Sequence, residues 1–148
     1  MSIINNWDRK FISLSEHISQ WSKDRSTKVG AVIVDSDNRV ISTGYNGFPA
    51  GLDDDIDERH LRPAKYKYTE HAERNAIYSA ARIGSSTKGC SMYLQWFPCS
   101  DCARAIIQSG VKRIVCKRPD FENKNWGEDF RFSIEMLEEC NINIDYYD

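Results

Sequence analysis

Two short motifs constrain this chain more than anything else in it. His71-Ala72-Glu73 stands at the start of one segment with helical spacing, and Pro98-Cys99-Ser100-Asp101-Cys102 opens another. About one crossover's length of chain separates them. A fold that uses both must bring two helix starts together. Cys99 and Cys102, three apart, share a helix face. In a first turn they also meet the positive end of the helix dipole and free N–H groups, which favour thiolate over thiol. Two thiolates and the His71 imidazole are three ligands of the kind zinc prefers, with a fourth position left for water. One zinc ion per chain is expected.

Glu73 adds the chemistry. Two helical positions would carry it about 200° from His71, onto the wrong side. The arrangement works if His71 caps the helix in non-helical geometry and Glu73 lies in the first turn. The carboxylate can then face a bound water without ligating the metal. It would take the water's proton and return it to the substrate as a general acid/base. His-x-Glu combined with Pro-Cys-x-x-Cys is the signature of zinc deaminases that act on bases. A purely structural zinc site would be closed by a fourth protein ligand. The other histidines, His17 and His60, stand at no ligand spacing. A redox Cys-x-x-Cys would leave His71 and Glu73 without a role.

Composition removes several other classes. Hydrophobic residues make up 41% and charged residues 28% of the 148, as in an ordinary soluble domain with one core. The net charge of −2, from 20 basic and 22 acidic residues, argues against a binder of nucleic-acid backbone. Apolar runs are short, for example residues 31–34, against the roughly 20 residues of a membrane span. Residues 1–10 include Asn5, Asn6 and Asp8 and lack the apolar centre of a secretory signal, so a cytoplasmic address is expected. Five cysteines, an odd number, argue against a disulfide framework. Cys90, Cys116 and Cys140 read as small core residues. The run Asp53-Asp54-Asp55-Ile56-Asp57-Glu58 reads as a solvated loop.

Periodicity supplies the elements. Trp7, Phe11, Leu14, Ile18 and Trp21 predict an amphipathic helix over about 8–21 whose aromatic stripe is core. Residues 29–35 and 39–45 predict a hairpin around Asp35-Ser36-Asp37-Asn38. A long irregular loop then runs to about residue 68. Helices are expected over 71–83 and 99–109, ended by Gly84 and Gly110, and around 132–140. Strands are expected over 91–96, 113–117 and near 142–146. There is no internal repeat or linker, so we expect one domain over 1–148. Alternating strands and helices imply right-handed crossovers in an α/β layered domain, with the strand order left open.

At this level the chain resembles the deoxycytidylate (dCMP) deaminase family over about residues 22–116, roughly two thirds of its length. The likeness rests on Ser22-Lys23-Asp24, Lys28-Val29-Gly30-Ala31-Val32-Ile33-Val34, Gly44-Tyr45-Asn46-Gly47 with Pro49, and His71-Ala72-Glu73 before Asn75-Ala76-Ile77. It continues through Lys88-Gly89-Cys90-Ser91-Met92-Tyr93, Phe97-Pro98-Cys99 with Cys102-Ala103, and Ile107-Gln108-Ser109-Gly110-Val111-Lys112. The resemblance implies a three-layer α/β/α fold around a mixed five-stranded sheet. It implies zinc on His71, Cys99 and Cys102 with Glu73 as proton shuttle. The implied reaction is dCMP plus water to dUMP plus ammonia, feeding thymidylate synthesis. It also implies a homohexamer activated by dCTP and inhibited by dTTP, with Mg2+ accompanying the triphosphate.

Nucleotide contacts are less sharply marked. Lys23, Arg25 and Lys28 precede the first strand and are candidates for phosphate. Asn46 is placed either to bond the sugar, by similarity, or merely to accept the angles of a turn. The loop Gly44, Tyr45, Asn46, Gly47 is the candidate effector contact. Glu70 and Trp96 depart from the family pattern. Leu61 and Lys65 fall where some members carry histidines for a second zinc, leaving only His60. Two alternatives stay open: a deaminase for dCTP or another base, and a silent nucleotide-binding module of the same fold, against which intact Glu73 argues.

Overall fold

The computed structural model describes residues 3–148. Helix α1 spans Asn6–Ser19 and starts two residues before its expected boundary. The reason is a capping box: Asn5 Oδ1 accepts from Asp8 N at 2.8 Å, and Asp8 Oδ2 accepts from Asn5 N at 3.0 Å. Phe11, Ile12 and Ile18 are buried on its inner face. Trp7 and Trp21, expected in the core, are 47% and 54% exposed. One stands in the first turn and the other beyond the C-cap Gln20, and Ile12 and Ser15 fill the face between them.

Strands β1 (Gly30–Val34), β2 (Val40–Tyr45), β3 (Ser91–Leu94), β4 (Arg113–Cys116) and β5 (Asn143–Tyr146) form one sheet in the order β2-β1-β3-β4-β5. β1 pairs antiparallel with β2 and β3, and β3–β4 and β4–β5 are parallel, so the sheet is mixed. β1 is buried along its whole length, as befits a central strand covered on both faces. Alternate residues serve opposite layers. Ala31, Ile33, Met92, Leu94, Ile114 and Cys116 form one core with side chains from helices α3 (Ala72–Ile83), α4 (Ser100–Ser109) and α5 (Gly127–Glu139). Val32, Val34, Tyr93 and Val115 form a second with Phe11, Ile12 and Ile18 of α1.

The stretch after the hairpin to about residue 68, expected to be irregular, holds a 3-10 turn at Asp57–His60 and the short helix α2 at Lys65–Tyr68. Helix α5 begins at Gly127, five residues before its expected start. Strand β3 ends at Leu94, leaving Trp96 54% exposed. Of the three cysteines expected in the core, Cys90 and Cys116 are buried while Cys140, at the C-cap of α5, is exposed.

Two features set the sheet against its helices. A Cβ on Gly44 would lie 2.3 Å from Ala76 N and 2.5 Å from Ala72 O, so β2 meets α3 where only glycine fits. On the other layer, Arg113 of β4 bonds both oxygens of Asp8 in α1, at 2.9 and 3.0 Å, and Asp145 of β5 at 2.7 Å. Tyr93 Oη donates to Asp8 at 2.6 Å. Buried charge is tolerated here because each group has its partner. No helix among the described residues is long and apolar enough to cross a membrane.

Candidate active site

Helices α3 and α4 lie on one face of the sheet, and their N-termini meet. His71 is the N-cap of α3, with extended backbone (φ −75°, ψ 154°), so its ring leaves the helix axis while Glu73 sits in the first turn. Cys99 is the N-cap of α4, also extended (φ −69°, ψ 171°), and Cys102 lies three residues on. The sulfurs of Cys99 and Cys102 are each 3.5 Å from His71 Nδ1. The three donor atoms all lie within 4.8 Å of one another. Both cysteines and Glu73 are buried, and His71 is partly exposed.

The electrostatics follow from that packing. A hydrogen bond from Cys102, aided by His71, holds the Cys99 thiol well below the usual thiol range. The contact with Cys99 lifts His71 above its ordinary value. Burial lifts the Glu73 carboxyl, with His71 opposing and Cys99 adding to the effect. Donors, charge and burial are those of a site for a thiophilic dication with an acid/base group at its side.

Arg74, which the motifs did not single out, packs beside the site. Arg74 forms an ion pair with Glu70, Nε to Oε1 at 2.6 Å, with an angle short of a straight hydrogen bond. Its Nη1 lies 3.6 Å from Asp101, the residue before Cys102. Glu70 therefore faces Arg74 instead of open solvent, and it also accepts from His71 N at 3.3 Å. The backbones of Gly47 and Glu70 exchange hydrogen bonds at 3.1 and 2.8 Å, and Asn75 Nδ2 donates to Tyr45 O at 2.8 Å. The 44–47 loop is thus clipped to the residue beside His71. Arg74 carried a signal only in hindsight, as a charge following Glu73.

The expected nucleotide contacts do not converge. Lys23 pairs with Asp54 at 2.9 Å, Arg25 pairs with Asp57 at 2.8 Å, and Lys28 is exposed. The acidic run pairs with two of the three cations proposed for phosphate. Asn46 is buried with both ends of its amide engaged: Oδ1 accepts from Val29 N at 2.9 Å and Nδ2 donates to Thr27 O at 2.8 Å. It clasps the approach to β1, which neither expected role foresaw. Gly44 is buried under α3, and Tyr45 is exposed with its ring edge-on to Trp21 at 6.2 Å. A cavity of about 410 Å³ lies along Thr43, Pro49, Asn75, Tyr78 and Arg82. A second of about 80 Å³ lies among Trp21, Lys23, Asp54, His60 and Thr69. Tyr45, Gly47 and Phe48 line both. His60 stacks on Phe48 at 4.7 Å with Nε2 2.6 Å from Asp54 O, and Lys65 is buried against Asp24 at 3.3 Å.

The comparisons with known proteins agree with this geometry. The family profile described as "Cytidine and deoxycytidylate deaminase zinc-binding region" matches residues 5–118. A protein of Aliivibrio fischeri named "Uncharacterized deaminase in luxG 3'region" is 40% identical over 146 residues, covering 96% of this chain and 94% of its own. Human deoxycytidylate deaminase is 40% identical over 114 residues, covering 74% of this chain and 63% of its own, so the chain spans less than two thirds of the human protein. The dCMP deaminase of cyanophage S-TIM5, solved with dCMP and dUMP, superposes with a TM-score of 0.75 at 24% identity over 94% of this chain and 95% of its own, a likeness of fold. Fold and motif together define a zinc-binding deaminase. The chain belongs to the family of cytidine and deoxycytidylate deaminases.

Proposed function

We propose that this chain is a zinc-dependent dCMP deaminase, forming dUMP and ammonia. The observation that carries the reading is the meeting of His71 Nδ1 with the sulfurs of Cys99 and Cys102 beside buried Glu73. One nitrogen and two sulfur donors fit zinc, and they leave room for a fourth ligand that no other histidine is placed to supply. Zinc, when bound, acidifies water and holds it for attack on an electron-poor carbon. His71, Cys99 and Cys102 hold the metal. Glu73 would take one proton from the water and pass it to the ring nitrogen beside the reacting carbon, then carry the remaining hydroxyl proton to the departing amine. Its burial keeps that proton from exchanging with solvent. Arg74 sets a positive charge beside the thiolates from the next helical position.

The deoxycytidylate relatives favour dCMP over dCTP or another base. On this reading the product supplies thymidylate synthesis, and the enzyme works in the cytoplasm as a homohexamer. Activation by dCTP and inhibition by dTTP, each with Mg2+, would act through Gly44, Tyr45, Asn46 and Gly47. The support is that this loop bounds two cavities and is clipped to Glu70, next to His71. Phosphate would recruit Lys23, Arg25 or Lys28 by displacing Asp54 and Asp57 from the first two. Ammonia release from dCMP, dCTP, cytidine and guanine tests the assignment: dCMP is expected to be turned over best, and no turnover of any deoxycytidine nucleotide overturns it.

A further inference from the structure

We propose that Asp129 is a positioning residue of the metal centre, holding the first turn of α4 and with it the aim of both cysteine sulfurs. The proposal rests on the zinc reading of the site. The N-cap residue of α4, Cys99, makes no side-chain capping hydrogen bond. The missing acceptor comes from another helix. Asp129 of α5 accepts from Ser100 N at 2.7 Å through one oxygen and from Ser100 Oγ at 2.6 Å through the other. Ser100 lies between the two thiol ligands in sequence, so a residue fixed at both its backbone and its side chain limits how either sulfur can move.

The grip is two-sided. Phe130, next to Asp129, packs edge-on against Phe97 at 5.6 Å, so consecutive residues of α5 hold the chain on both flanks of Cys99. The start of α5 is itself firmly built. Asn123 Oδ1 accepts from Asn125 N and Trp126 N, each at 2.9 Å, and a Cβ on Gly127 would lie 2.2 Å from Phe121 O. A carboxylate at a helix N-terminus is favourable, and charge-assisted bonds are short and directional. Asp129 also lies beyond the residues 5–118 that the family profile matches.

The test is competition between the protein and a zinc chelator, with the absorption spectrum of the Co2+-substituted protein and steady-state kinetics on dCMP alongside. Asp129→Ala is expected to hold zinc roughly 10- to 100-fold less tightly, to shift the cobalt–thiolate bands, and to lose kcat with little change in KM. Asp129→Asn, which keeps one acceptor, and Ser100→Ala, which keeps the backbone bond, are expected to fall between it and the parent. Leu137→Val, which loosens α5 at its far end, is expected to lower the melting temperature without moving the cobalt bands. If Asp129→Ala does not fold, the two milder variants decide the matter. Zinc affinity and spectrum equal to the parent's in the folded variants overturn the role of Asp129. A parent that takes up no stoichiometric zinc instead overturns the reading of the site itself.

Discussion

His71 Nδ1 lies 3.5 Å from the sulfur of Cys102, 31 residues further along the chain. The contact exists because α3 and α4 lie on the same face of the sheet with their N-termini abutting, and because both His71 and Cys99 leave helical geometry as caps. Neither helix alone gathers three donor atoms. Their meeting point does, and Glu73 is already in the first turn of α3.

Glu73→Gln keeps the size of the side chain and removes its ability to accept a proton. Turnover is expected to fall by about 10²- to 10⁴-fold. Zinc content should stay at one per chain, since Glu73 is not among the three donors. Parallel activity and elemental assays check this, and an unaltered rate would remove Glu73 from its assigned task.

Cys102→Ala removes a fully buried donor. The variant is expected to lose most of its zinc and its activity together. Added zinc should restore the parent after chelation but not the variant. Metal content and ammonia release after dialysis report both outcomes.

How much of this was legible in the sequence depends on where the signal sits. The meeting of His71 with Cys99 and Cys102, and His71 as a cap with Glu73 in the first turn, were readable because each lies within a short motif at a helix start. The hairpin and the ends of α3 and α4 at Gly84 and Gly110 were readable because turn residues and glycine impose local geometry. The partners of Lys23 and Arg25 were not readable, because Asp54 and Asp57 lie some 30 residues away and only the folded loop brings them in. The contacts of Asn46 were not readable for a similar reason: its amide bonds the backbone of residues 27 and 29, a tertiary contact with no sequence pattern. Periodicity spoke for Trp7 and Trp21 as core, but it does not reveal where a helix end projects beyond its support.

Gly44→Ala places a methyl against the backbone of α3, at 2.3 Å from Ala76 N. The helix must shift, which is expected to cost roughly 1–3 kcal/mol. Because α3 carries His71 and Glu73, activity at a temperature where the variant is folded should fall as well. Thermal unfolding and kinetics together check this; a loss of stability with full activity would show that the shift is absorbed away from the helix start.

Asp8 gives the fold a pH dependence. Burial works to raise its carboxyl, but hydrogen bonds from Arg113, Tyr93 and Asn5 outweigh it and hold the group below its ordinary value. A depressed folded-state pKa means a contribution fully present above the unfolded value, near 3.9, and lost as pH falls through the folded one. Asp8→Asn is expected to destabilise at pH 7 by about 3–5 kcal/mol, since Arg113 is left half-paired in a buried setting. The gap to the parent should narrow below about pH 4. Urea unfolding across that range measures it, and a gap independent of pH would contradict the account.

X-ray absorption at the zinc edge tests the central claim most directly. The account predicts one zinc per chain with two sulfur neighbours at about 2.3 Å, one nitrogen at about 2.0 Å and a single oxygen that exchanges with solvent. No stoichiometric zinc, or a fourth protein ligand closing the shell, would contradict it.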